Sequence, residues 1–246
     1  MLTEERKNQI LKLVEQNGGA SVQELMALLN ASESTIRRDL NELDRKGLLL
    51  KVHGGAMSIS KNITADSSVS ERMDLNRDKK IQIARYAASL ITEKDVVFLD
   101  AGTTTGLMLD YLTVKNTIFV TDAIDHAKKL CTLGYQVYMP GGLVKIRTEA
   151  LTGNTTCEYL KKFHFTKAFL GTNGVTIKEG FTTPDIQEAA VKETAAQHTR
   201  ECYILCDSSK FDKISTVTFA EFTAAHVITD SDAPKVYQKC ENLIIL

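Results

Sequence analysis

From residue 78 onward, helical stretches alternate with short apolar runs, and that alternation restricts the possible folds more than any other feature of the chain. The helical pattern occupies 80–91, 102–112, 124–133, 155–163 and 184–198, and the apolar runs fall at 95–100, 117–121, 136–139, 167–170, 202–206 and 226–229. A run such as Val96-Val97-Phe98-Leu99 has no polar position to give to water, so it reads as a strand covered on both faces. Strand alternating with helix then predicts an open, mostly parallel α/β sheet. Such a sheet gathers its strand ends along one edge, where ligands bind.

Several of those strand ends carry polar turns. Asp100-Ala101-Gly102-Thr103-Thr104-Thr105 follows a strand and opens a helix. Glycine lets the backbone turn closely, and threonine hydroxyls with the free N–H groups of a helix start can hold an anion. Taken alone, the segment also reads as an ordinary strand-to-helix turn with a threonine cap. Thr121-Asp122, Gly171-Thr172-Asn173-Gly174 and Asp207-Ser208-Ser209-Lys210 follow other strands. Lys210 can supply a cation to a phosphate, and Asp100 or Asp207 can accept hydrogen bonds from sugar hydroxyls. Ligand contacts are therefore expected among Asp100, Gly102, Thr103, Thr104, Thr105, Thr121, Gly171, Thr172, Gly174, Asp207 and Lys210. Glu188 and Lys192 stand four apart on one helix and read either as a surface ion pair or as two further ligand contacts.

No catalytic constellation accompanies these turns. His126, His164, His198 and His226 are scattered, with no serine or cysteine arranged beside them. Cys131, Cys157, Cys202, Cys206 and Cys240 are odd in number and form no CxxC pair, so they read as reduced core thiols rather than metal ligands. No metal and no cofactor is expected.

The first 57 residues follow a different pattern, three short helices. The first spans 3–16, with Ile10, Leu13 and Val14 on one face, and stops at Asn17-Gly18-Gly19. The second begins at Ser21, where Ser21-x-x-Glu24 is a capping-box pattern, and Leu25, Leu28 and Leu29 form its apolar face. After the turn Asn30-Ala31, Ser32 caps a third helix whose Ile36, Leu40 and Leu43 face inward. Its other face presents Ser34, Thr35, Arg37, Arg38 and Asn41. Arginine binds guanine or phosphate in two-pronged fashion, and the small polar residues reach phosphates or base edges. A helix of this composition after a shorter helix and a tight turn is the helix-turn-helix layout. Two β-like stretches, 48–50 and 52–56, complete a wing that carries Lys51 and His53. The arginines also read as a solvated helix face, because residues 1–57 hold eight Lys/Arg against eight Asp/Glu. For DNA binding, Asp39, Glu42 and Asp44 must point away from the phosphates. Residues 58–70 are polar and aperiodic, which predicts a linker between domains at 1–57 and 71–246.

Across all 246 residues, 30 Lys+Arg against 31 Asp+Glu exclude a strongly basic protein that coats nucleic acid, but not a local basic surface. No apolar stretch approaches the roughly 20 residues of a membrane span, and the charged start MLTEERKNQI does not read as a secretory signal, so a cytoplasmic protein is expected.

Residues 6–40 resemble the DeoR family of bacterial repressors, through Arg6, Ile10 and Val14 and then Ser32-x-x-Thr35-Ile36-Arg37-Arg38-Asp39-Leu40. The continuation Leu43…Gly47…His53-Gly54-Gly55-Ala56 is similar to the same family. So is the segment from about 71 to 230, through Glu71-Arg72, Lys80-x-x-Ile83-Ala84, Leu99-Asp100-Ala101-Gly102-Thr103-Thr104, Gly141-Gly142, Gly153, Phe169-Leu170-Gly171 and Asp207-Ser208-Ser209-Lys210-Phe211. Gly180-Phe181-Thr182-Thr183-Pro184-Asp185 with Glu188-Ala189-Ala190-Val191-Lys192 looks most like the fructose-operon repressors of Gram-positive bacteria.

The resemblance implies a winged helix-turn-helix at about 3–57 and a sensor domain with a fold similar to sugar-phosphate isomerases. It implies DNA contacts from Ser32, Ser34, Thr35, Arg37, Arg38, Asn41, Lys51 and His53, with Asp39 orienting an arginine. The partners it implies are double-stranded operator DNA and a phosphorylated sugar, with fructose 1-phosphate as a candidate. A single winged domain contacts few base pairs, so a homodimer or homotetramer on repeated half-sites is expected. The family commonly carries Asn where this chain has Asp122; an added negative charge is unhelpful beside a phosphate, so either Asp122 points away or the ligand differs. The competing reading is a sugar-phosphate isomerase with an appended DNA-binding domain, in which Asp100, Asp207 and Lys210 serve as acid–base groups.

Overall fold

A computed structural model of the chain describes residues 3–17, 19–52, 54–58 and 69–246. The chain divides into two compact units, 1–64 and 65–246.

The first unit holds α1 (Thr3–Asn17), β1 (Gly19–Ser21), α2 (Val22–Leu29), α3 (Glu33–Arg45), β2 (Leu50–Val52) and β3 (Gly55–Met57). Ser21 caps α2 as its spacing predicts. The Glu24 N–H donates to Ser21 Oγ at 3.1 Å, and the Ser21 N–H donates back to Glu24 Oε2 at 2.8 Å. Asn30, at φ 47°, ends α2 in the left-handed region, and Ser32 caps α3. Ile10, Val14, Val22, Leu25, Leu29, Ile36, Leu40 and Leu43 form the core with Leu49 and Ala56. Leu28, expected on the same face, is instead 63% exposed. The strands fall slightly later than expected and gain a third member, since β3 pairs antiparallel with both β1 and β2. Gly55 permits this closeness: a Cβ there would lie 2.3 Å from the Ala20 carbonyl oxygen.

The second unit begins with α4 (Val69–Met73), so the end of the expected linker is helical, while 59–68 lie outside the described residues. There follow α5 (Arg77–Ser89), β4 (Val96–Leu99), α6 (Thr103–Met108), β5 (Ile118–Thr121), α7 (Ile124–Thr132), β6 (Gln136–Tyr138), β7 (Leu143–Lys145), β8 (Ala150–Thr152) and α8 (Asn154–Leu160). The remainder is β9 (Phe165–Gly171), β10 (Gly174–Thr176), β11 (Gly180–Thr183), α9 (Ile186–Gln197), β12 (Thr199–Leu205), β13 (Val217–Ala220), β14 (His226–Thr229) and β15 (Leu243–Ile245).

Seven strands form one sheet in the order β15-β14-β12-β9-β4-β5-β6, every neighbouring pair parallel. Both faces are covered, as the unbroken apolar runs require. Phe98, Ala168, Leu170, Ile204 and Val227 pack on one side with Val191 and Ala195 of α9; Val97, Leu99, Phe169, Leu205 and Ile228 pack on the other with Ile83, Ala84 and Ala87 of α5. A small antiparallel sheet, β10-β11-β13, and the hairpin β7-β8 lie outside this frame. The chain winds outward from β4 to β6, then returns to β9 on the other side of β4. The sheet's winding reverses between β4 and β9, and the crevice beyond their carboxyl ends is where ligands bind in such sheets.

Among the cysteines, Cys157, Cys202 and Cys206 are buried free thiols as expected, but Cys131 is exposed. Among the described residues no helix is long and apolar enough to cross a membrane.

Candidate functional site

A cavity of about 320 Å³ lies at that reversal point. Its floor is the Asp100–Lys192 ion pair. Asp100, just past β4, is 1% exposed; it accepts from Lys192 Nζ and, at 2.7 Å, from the Gly171 N–H at the end of β9. Lys192, on α9, also donates to the Gly171 carbonyl at 3.1 Å and stands 5.7 Å from the Phe219 ring centroid. Burial alone would raise the Asp100 carboxyl, but the Lys192 charge and the bonds from Lys192 and Gly171 outweigh it and hold it below the usual carboxylate range. Glu188, one turn earlier on α9, does not pair with Lys192. It accepts from the Thr148 hydroxyl at 2.5 Å and lies 3.2 Å from Lys145 Nζ. Both residues line the cavity, so of the two readings of this i, i+4 pair the surface ion pair is the one that fails.

The lining also holds further cations. Lys80 of α5, Lys210, Lys213 and Arg72 of α4 all line the cavity. Lys80 is only 5% exposed and donates to the Arg72 carbonyl oxygen. Its burial pushes the ammonium down to about 8, with Lys210 and Arg72 adding to the fall and Asp207 opposing it. An entering anion relieves this arrangement, because it supplies the countercharge that burial withholds. Sequence reasoning did not assign Lys80, Arg72 or Lys213 to the site. The available signal was Lys80 itself, a lysine at the inward positions of α5 beside Ile83, Ala84 and Ala87.

Several expected contacts serve the scaffold instead. Thr105 is fully buried; its hydroxyl donates back to the Asp100 and Gly102 carbonyls and takes the Gly102 N–H at 3.0 Å. Thr121 is also fully buried, and its Oγ1 accepts the Ala123 N–H at 3.1 Å. Gly174 is outside the lining. A Cβ there would lie 2.4 Å from the Lys213 carbonyl oxygen, so its role is to let the Lys213 segment approach. Asp100, Gly102, Thr103, Thr104, Gly171, Thr172, Asp207 and Lys210 do line the cavity. The Thr172 hydroxyl is spent on the Gly174 and Thr182 carbonyls, and Asp207 accepts from Asn76 Nδ2 at 2.9 Å and the Ser209 N–H at 3.0 Å. The helix behind Gly102 has six residues, too short a dipole to hold an anion without the lysines.

In the first unit, α3 presents Ser34, Arg37, Arg38 and Asn41 exposed, with Thr35 half-buried. Ser32 is exposed but bonds Thr35 Oγ1 at 2.8 Å and Ser34 Oγ at 3.1 Å as part of the cap. Arg37 pairs with Glu33 one turn back, at 2.7 Å. Three other acidic residues of the helix, Asp39, Glu42 and Asp44, are paired elsewhere. Asp39, 2% exposed, holds Arg6 of α1 at 2.5 Å, Glu42 pairs with Lys7 and Lys46, and Asp44 accepts the Lys51 N–H at 2.9 Å. Asp39 therefore orients an arginine as expected, but it is Arg6, which ties α3 to α1. Lys51 is exposed on β2, and His53 lies outside the described residues.

Residues 6–62 match the family model for the DeoR-like helix-turn-helix domain, and residues 75–231 match that for the DeoR C-terminal sensor domain. The chain belongs to the DeoR family of transcriptional regulators. It is 43% identical to the uncharacterized HTH-type transcriptional regulator FruR of Bacillus subtilis over 93% of this chain and 91% of that protein. It is 34% identical to the lactose phosphotransferase system repressor of Staphylococcus epidermidis over 98% of this chain and 97% of that one. Among solved structures it is similar to ribose 5-phosphate isomerase A of Methanocaldococcus jannaschii, with a TM-score of 0.40 and 16% identity over 55% of each chain.

Proposed function

We propose that the chain represses a sugar-utilisation operon in the cytoplasm, and that a phosphorylated sugar in the cavity releases it from operator DNA. The observation that carries the reading is that one cavity is lined both by cations (Lys80, Lys210, Lys213) and by the hydrogen-bonding groups of Asp100, Lys192 and Glu188. The first suits a phosphate and the second a polyol. A volume of about 320 Å³ is at the small end for ligand cavities and fits a small metabolite. The pattern at 180–192 makes fructose 1-phosphate the first candidate. On the DNA side, Ser32, Ser34, Thr35, Arg37, Arg38, Asn41, Lys51 and His53 meet the operator, and a dimer or tetramer spans repeated half-sites.

Release requires that the sugar phosphate bind the DNA-free state better than the bound one. Calorimetry of the chain with fructose 1-phosphate, fructose 6-phosphate and ribose 5-phosphate tests the cavity assignment. Saturable binding of one of them that disappears in Lys213→Ala supports it; binding that survives the substitution moves the ligand elsewhere. The same samples are expected to turn over none of the three sugars, and isomerisation of ribose 5-phosphate at enzymatic rates contradicts a purely regulatory role.

A further inference from the structure

Three carboxylates at the cavity are engaged: Asp100 by Lys192 and the Gly171 N–H, Glu188 by Thr148 and Lys145, and Asp207 by Asn76 and Ser209. Asp122 lines the same cavity, is 5% exposed, and its Oδ1 is buried with no hydrogen-bond partner among the described residues. Its position is fixed. The Asp122 carbonyl accepts the Leu151 N–H at 2.7 Å, and Thr121 Oγ1 ties down the next residue. A buried polar group left unbonded is costly, and native structures keep one where something else completes it.

The charged groups facing Asp122 give it no counterion. Asp100 comes from the end of β4, and Lys192 and Glu188 from α9; Lys192 is committed to Asp100 and Gly171. His126 of α7 interacts with Asp100, and its burial pushes the imidazole down, so it brings no positive charge. Burial first, and the Asp100 charge second, push the Asp122 carboxyl well above the usual carboxylate range.

We propose that the Asp122 carboxyl hydrogen-bonds an oxygen of the bound effector, with Asp122 as the donor. The inference rests on the reading of the cavity as a sugar-phosphate site. A neutral carboxylic acid offers one donor and one acceptor, the same pair as an asparagine amide, and adds no charge beside an anion. It differs from asparagine in carrying a proton that alkali removes. Ionised, Asp122 loses its donor and repels the ligand, so effector affinity in this chain acquires a pH dependence that asparagine does not confer.

The test is effector binding by the full chain, with the tightest of the three sugar phosphates as probe, in wild type, Asp122→Ala and Asp122→Asn, each first shown to be folded by circular dichroism. Asp122→Ala is expected to bind about tenfold more weakly at about pH 6.5, and Asp122→Asn to restore binding to within about threefold. As pH rises into the alkaline range, wild type is expected to lose more affinity than Asp122→Asn, because only wild type has the carboxyl proton to lose. The ratio of the two proteins cancels the titration of Lys80 and of the phosphate, which both share. Asp122→Ala equal to wild type, Asp122→Asn as weak as Asp122→Ala, or a constant ratio across pH overturns the proposal and leaves the cavity assignment standing. No binding of any sugar phosphate by wild type overturns both.

Discussion

Replacing Lys192 by methionine leaves Asp100 as a carboxylate buried to 1% exposure without its cation. Methionine keeps the apolar stem that packs near Phe219, so the change removes charge more than volume. Breaking a buried pair from one side costs about 3–5 kcal/mol, because the remaining charge stays desolvated. Asp100 keeps the Gly171 N–H at 2.7 Å, which argues for the lower end, about 3 kcal/mol. For a unit of this size that loss lowers Tm by roughly 6–12 °C. Urea unfolding followed by circular dichroism, with Asp100→Asn and the double variant, completes a double-mutant cycle. The double variant removes both charges and is expected to recover most of the loss.

The pH dependence carries a sign. Asp100 is held below its unfolded value, so its stabilisation is present above about pH 4 and is lost as pH falls through the lower folded value. Lys192→Met removes the main cause of that lowering and flattens the acid limb. A single-variant loss under about 1 kcal/mol, or simple additivity in the double variant, refutes the ion pair as the cavity's structural floor.

Other substitutions separate the two units. Arg37→Ala and Arg38→Ala are each expected to weaken operator binding about tenfold with no change in the unfolding midpoint, as read by gel shift and thermal scans. Asp39→Ala is expected to destabilise the first unit by about 2 kcal/mol and to weaken operator binding as well, because it frees α3 from Arg6 of α1; unchanged operator affinity removes that positioning role. Lys80→Met is expected to weaken effector binding at least about tenfold while DNA binding persists. In wild type, effector affinity is expected to fall as pH rises through about 8, because Lys80 loses its proton there in the empty cavity and binding must restore it. Calorimetry against pH checks this: the step near pH 8 is expected to shrink in Lys80→Met to whatever the titration of Asp122 leaves.

What the sequence made legible was what periodicity and caps encode. The three helices of the first unit, the parallel sheet and the convergence of Asp100, Gly171 and Asp207 all follow from residue spacing. Strands of three residues such as β1 and β7 are too short to show a period. Thr105, Thr121 and Gly174 sit in the polar turns that mark the site, yet local hydrogen bonds and close packing turn them inward, and spacing does not report which way a hydroxyl faces. Lys80 and Arg72 come from helices that precede the sheet in the chain, so only the tertiary fold brings them to its edge. Partners such as Arg6 for Asp39 and Thr148 for Glu188 lie 33 and 40 residues away and are equally hidden.

The central claim is that occupancy of the cavity governs DNA affinity. Fluorescence anisotropy on operator DNA from upstream of the gene or its neighbouring operon, at fixed salt, measures this directly, since phosphate contacts make such affinities steeply salt-dependent. The account predicts that the sugar phosphate bound by the wild-type cavity weakens operator binding in wild type and leaves it unchanged in Lys80→Met. Operator affinity that is indifferent to a ligand shown to fill the cavity contradicts it.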